Sequence, residues 1–161
     1  MTSEAGPGST TAAQDGFWNL VTARREGVLA TVTPDGAPQL SNVLYAVDVE
    51  ARTIRVSTTA GRAKARNLER NQRAALHVAG ENFWQYAVAH AEADLSAVAT
   101  TPGDAATEEL FAVHSVFYGS LDRAAFDQEM IENRRLVVRL RVTRLTGVDT
   151  GAGRRPAGNE G

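Results

Sequence analysis

Residues Leu136–Leu145 alternate. Leu136, Val138, Leu140 and Val142 are apolar, Arg139 and Arg141 sit between them, and Arg144 lies at the end. Only an extended chain can bury such a pattern on one side, because successive strand side chains point to opposite faces. The segment predicts a strand with one face in a core and arginines on the other, and the chain must supply a sheet for it to join. Val28–Thr33 and Gln39–Val47 read as two strands joined at Pro34-Asp35-Gly36. Proline presets φ there and glycine supplies a permissive position. Thr53–Thr58 is a third strand, with Ile54 and Val56 facing one way and Arg55 the other. Ala74–Ala79 and Trp84–Leu95, joined by Gly80-Glu81-Asn82, bring the count to six strands.

Helices fill the gaps. Asp15–Arg24 can be capped by Asp15, carries Phe17, Leu20 and Val21 on one face, and is ended by Gly27. Ala60–Asn71 reads as a basic helix. After the break at Pro102–Asp104, Glu108–Phe117 and Ala124–Asn133 form a helical hairpin around Tyr118-Gly119. Late helices inserted before the last strand predict a mainly β chain with α decoration, a small barrel and not a parallel βαβ sheet. The 161 residues fit one domain. Residues 1–14 and 150–161 have few large apolar groups, and both are expected to be disordered tails around a domain at 15–149.

Several function classes are excluded. With 17 Lys+Arg against 19 Asp+Glu the formal charge is −2, so no overall field draws the chain to nucleic acid or an anionic membrane. Anion binding must come from a local cluster. With no cysteine, disulfides, thiolate metal sites and a cysteine nucleophile are out. No secretory signal and no run near the ~20 apolar residues of a membrane span is visible, so the expected location is cytoplasmic. His77, His90 and His114 have no metal-ligand spacing, and no metal site is expected. No P-loop or GxGxxG follows a strand.

Three stretches carry candidate chemistry. Ser57-Thr58-Thr59 ends a strand, Ala60-Gly61 follows, and Arg62, Lys64 and Arg66 lie in the first turns of the next helix. A helix N-terminus presents free N–H groups and partial positive charge, and the cations add charge-assisted hydrogen bonds, a combination that suits phosphate. The same cations also fit an ordinary solvated helix. In Pro38-Gln39-Leu40-Ser41-Asn42, polar Gln39, Ser41 and Asn42 interrupt a strand. Polar groups on a partly buried face need partners, which a flat heterocycle with carbonyl and N–H edges would provide. A solvent-facing hairpin edge accounts for them equally. The aromatics of Phe83-Trp84-Gln85-Tyr86-Ala87-Val88 suit ring stacking, a core or a dimer contact. No catalytic residue can be named.

Gly27-Val28-Leu29-Ala30-Thr31, Asp35-Gly36-Ala37-Pro38-Gln39-Leu40-Ser41-Asn42 and Arg62-Ala63-Lys64-Ala65-Arg66-Asn67-Leu68 resemble the pyridoxamine-phosphate-oxidase-like split-barrel superfamily. They are most similar to its actinobacterial branch of F420-dependent oxidoreductases. The resemblance continues through Trp84–Ala89 and Arg134–Leu140 and spans about Gly27 to Gly147. It implies an FMN-binding type of split β-barrel, six-stranded and antiparallel, in a homodimer with two cofactor sites at the subunit interface. It implies that Ser57, Thr58, Arg62 and Lys64 hold the cofactor phosphate, that Gln39, Ser41 and Asn42 flank the ring, and that Trp84, Tyr86 and Val88 approach from the other subunit. Arg66 and Asn67 match the motif and fit structural roles. The chain has Ala60-Gly61 where the family pattern has a proline-containing step. It has Leu40–Tyr45 where pyridoxal-phosphate-making enzymes carry an arginine-rich strand, which argues against that activity.

The resemblance thus implies coenzyme F420, whose phosphate and acidic tail suit the Arg62–Arg66 stretch, and a small-molecule hydride acceptor. FMN in the same fold is the alternative cofactor. A non-catalytic carrier of F420, haem or another tetrapyrrole is the third reading.

Overall fold

The computed structural model describes residues 11–149. In chain order these form α1 (Thr11–Ala23), β1 (Glu26–Val32), β2 (Pro38–Leu44), β3 (Ala46–Asp48), β4 (Thr53–Thr59), α2 (Ala63–Arg70), β5 (Arg73–Ala79), β6 (Gln85–Leu95), α3 (Ala105–His114), α4 (Arg123–Glu132) and β7 (Arg135–Asp149). The strands make one curled antiparallel sheet in the order β2-β1-β5-β6-β7-β4-β3. This is the mainly β, helix-decorated architecture that the strand pattern and late helices predict, and the split barrel that the family resemblance implies.

The strand count differs from expectation: there are seven among the described residues, because Gln39–Val47 is two strands. The break is at Tyr45. Its backbone N–H donates to Arg25 O at 2.9 Å, and its buried hydroxyl donates to Val21 O at 2.6 Å. Those bonds pin the chain at the α1–β1 junction. β2 before the pin pairs with β1 at one sheet edge, and β3 after it pairs with β4 at the other. One short segment thereby bridges both edges and curls the sheet. The first helix also starts at Thr11, not Asp15, and Gln14 Nε2 donates to Leu145 O at 2.8 Å. The boundary expected after residue 14 therefore falls inside a helix, while residues 1–10 and 150–161 of the expected tails lie outside the described residues.

Two cores follow from the strand period. Ile54 and Val56 of β4 and Leu136, Val138 and Leu140 of β7 face inward onto Leu29, Leu76 and α1. The opposite face of β7 carries Val137, which is buried against Leu110 and Val113 of α3 and Phe126 and Met130 of α4. Burying such side chains stabilises by roughly 1.5–3 kcal/mol each. Asp104 caps α3: its carboxylate accepts from the backbone N–H groups of Thr100, Thr101 and Thr107 at 3.0, 3.0 and 2.8 Å. The hairpin α3–α4 sits on the outer face of β4 and β7, which carries Thr53, Arg55, Ser57 and Thr59 of β4 and Arg135, Arg139 and Arg141 of β7.

Candidate functional site

β4 and β7 pair with Thr53 opposite Arg141, Arg55 opposite Arg139, Ser57 opposite Val137 and Thr59 opposite Arg135. Period two places all eight on the face that the hairpin covers. At one end, Arg135 converges on the hydroxyls. Its Nε and Nη2 donate to Ser57 Oγ at 3.1 and 2.7 Å, and Nη1 donates to Thr59 Oγ1 at 3.3 Å. His114, the last residue of α3, places Nε2 3.0 Å from the same Ser57 Oγ.

The chain then turns into α2. Gly61 adopts φ +85°, a conformation that favours glycine, and Arg62 N–H donates to Thr59 O at 3.2 Å. Arg62 stands at the N-cap without a side-chain cap bond. Lys64, the only lysine in the sequence, follows within the first turn. Arg62 is close enough to disfavour the charges of Lys64 and Arg135, and Arg135 that of Lys64. The Lys64 ammonium is held below its ordinary pKa by burial and then by Arg62 and Arg135. Arg135 is lowered by burial and then by Arg62. His114 falls to about 4 through burial and the Arg135 charge. Among the described residues none of the three cations has a carboxylate within 4.0 Å. Arg135 and Lys64, with the hydroxyls that Arg135 bonds and the Arg62 charge nearby, form a donor set suited to an oxyanion.

A cavity of about 180 Å³ opens beside this cluster, lined by Asn42, Ser57, Lys64, His114, Tyr118 and Arg135 among others. Three residues expected from sequence, Asn42, Ser57 and Lys64, thus meet, and Arg62 joins them electrostatically. Thr58 does not: it is buried on the inward face of β4. Gln39 Oε1 accepts from Asn67 Nδ2 at 2.7 Å, and Asn67 also donates to Thr31 Oγ1 at 3.1 Å. Those bonds fasten α2 to β1 and β2. Ser41 is half-buried opposite Leu29. Trp84 and Tyr86 line a separate cavity of about 470 Å³ with His77 and Phe83, where Tyr86 stacks on His77 at 5.3 Å. Val88 lies further along β6, opposite His77 and Thr146.

Sequence reasoning missed Arg135, His114 and Tyr118. Arg135 had a signal: it shares the parity of Arg139 and Arg141 in the alternating strand. His114 and Tyr118 had none, because only the packing of the helical hairpin brings them to β4.

A family model for pyridoxamine 5'-phosphate oxidase matches residues 14–149. Among solved structures, an F420 reductase is 25% identical with a TM-score of 0.62, over 81% of this chain and 96% of that one. A conserved hypothetical protein from Mycobacterium tuberculosis is 25% identical with a TM-score of 0.66, over 92% and 90% of the two chains. A FAD-binding protein from Mesorhizobium loti is 16% identical with a TM-score of 0.54, over 85% and 92%, a likeness of fold alone.

Proposed function

The chain belongs to the pyridoxamine 5'-phosphate oxidase family, and on that premise we propose that it is an F420-dependent oxidoreductase acting on a small unsaturated molecule. The observation that carries this reading is Arg135 bonded to Ser57 and Thr59, with Lys64 lining the same cavity and Arg62 close enough to act electrostatically on both, none of the three in a salt bridge among the described residues. Three cations held together cost stability unless an anion joins them. A cofactor with a phosphate and an acidic tail is such an anion, and the likeness to an F420 reductase supports the choice.

Ser57, Arg62, Lys64 and Arg135 hold the phosphate in this reading. Thr58 is left out because its side chain is buried on the other face of β4. Ser41 and Asn42 flank the ring, and Gln39 contributes through the amide that Asn67 orients. In a homodimer Trp84, Tyr86 and Val88 approach the site of the second subunit. When bound, the reduced deazaflavin supplies the hydride for an electron-poor double bond or ring. The protein orients the partners and limits water, and the proton comes from solvent.

Titration with F420 and, separately, with FMN, followed by quenching of each fluorescence, tests the cofactor. Saturable binding of F420 with weaker FMN is expected. Tight FMN with weak F420 contradicts the reading. Steady-state oxidation of reduced F420 by an unsaturated acceptor then separates an enzyme from a carrier.

A further inference from the structure

The Ser57 hydroxyl has one proton and two lone pairs. Arg135 only donates, and its Nε and Nη2 both point at Ser57 Oγ, at 3.1 and 2.7 Å. The lone pairs are therefore taken, and the hydroxyl proton must go to the remaining neighbour, His114 Nε2 at 3.0 Å. That bond requires His114 to be neutral with its proton on Nδ1. Burial of the ring, and then the Arg135 charge beside it, favour that state. The consequence is that Ser57 has no proton to offer an anion in the cavity while His114 is neutral.

An anion seated on Arg62, Lys64 and Arg135 reverses each condition. It draws the Arg135 guanidinium off Ser57 Oγ and cancels the charge that opposes a cationic His114. His114 then takes a proton from solvent onto Nε2 and donates to Ser57 Oγ, which frees the Ser57 O–H to donate to the anion. Resting on the anion site proposed above, we propose that His114 is a positioning residue that turns the Ser57 hydroxyl toward a bound oxyanion, so that binding takes up one proton. The groups that set this balance are Arg135 of β7, Lys64 and Arg62 of α2, and Tyr118 just past α3, with Glu129 of α4 acting on Arg135. His114 also packs edge-on against Phe126 at 5.1 Å, which keeps the ring in place through the exchange.

The test uses sulfate as the probe, because it does not titrate in the range of histidine. The ring Cε1–Hε1 signals of the three histidines are followed by NMR from about pH 4 to 8. Titrations are run with and without saturating sulfate, and His114→Gln assigns the signal. The ε-methylene of Lys64, the only lysine, reports occupancy of the site. The expected result is a His114 midpoint that rises by about one unit or more with sulfate. By reciprocity sulfate then binds about tenfold tighter to the protonated protein. In His114→Gln the affinity loses this pH dependence. A Lys64 signal that saturates while the His114 midpoint stays put overturns the inference and leaves the anion site standing. A Lys64 signal that sulfate never moves overturns both.

Discussion

The same face of the β4–β7 ladder treats its arginines in opposite ways at its two ends. Toward Thr53 and Arg141 every cation is matched. Arg139 donates to Glu109 at 2.8 and 2.6 Å and pairs with Asp94 at 2.9 Å. Arg55 pairs with Glu109 at 3.0 Å and with Asp48 at 3.7 Å, and Arg141 pairs with Glu92. Toward Thr59 and Arg135, hydroxyls replace the carboxylates and Arg62 and Lys64 add charge. α3 serves both ends: Glu109 reaches the paired arginines and His114, at its last position, reaches Ser57. The paired end holds the helical hairpin on the sheet. At the other end Arg62, Lys64 and Arg135 make no salt bridge among the described residues, and the proposed anion site rests on that contrast.

The largest effect is expected where the pairing is removed. Glu109→Ala leaves Arg55 and Arg139 without their shared carboxylate and loosens the hairpin, at a cost of about 2 kcal/mol in urea unfolding. At the other end the expected loss is in binding, not stability. Lys64→Ala lowers F420 affinity about tenfold or more, equivalent to ~1.4 kcal/mol, while the unfolding midpoint does not fall, because the change also removes a disfavoured cation.

Acid separates the two ends by window. The His114 pKa is depressed from 6.5 to about 4, by burial and then by Arg135. The unfolded chain therefore takes up a proton below pH 6.5 that the native state does not accept until about 4. Stability falls as pH drops through that interval. For Glu109, burial raises the pKa, but the hydrogen bond and charge of Arg139 and then Arg55 outweigh it, leaving the carboxyl below its ordinary 4.5. Its contribution is complete above 4.5 and is lost as pH falls further. Unfolding measured against pH should show the upper loss shrink in His114→Gln to the part contributed by His90, which burial and then Arg144 also hold below its ordinary pKa, while the lower loss remains. The smallest effect is a gain. Arg62→Gln removes repulsion at the unpaired end and should raise stability by about 0.5 kcal/mol or less, while weakening F420 binding.

The sequence made the strands legible because each has a one-sided core and a two-residue period. The stretch proposed to hold a phosphate could be picked out because Ser57, Arg62 and Lys64 are near neighbours in the chain. The split of Gln39–Val47 was hidden, since Tyr45 continues an apolar pattern and only its bonds to the α1–β1 junction show that the chain changes edge. Thr58 looked equivalent to Ser57 in a hydroxyl run, yet period two sends it into the core. Arg135 and His114 come from distant segments, and their place beside Ser57 is set by strand register and helix packing, which local patterns do not encode.

The most direct test matches the two ends of one ladder in one assay. Fluorescence quenching of F420 is measured on the unaltered protein, on Arg135→Gln and on Arg141→Gln, all at the same salt. The account predicts about a tenfold or greater loss of affinity for Arg135→Gln and none for Arg141→Gln. Equal losses, or none in either, would contradict the claim that the unpaired end is the anion site.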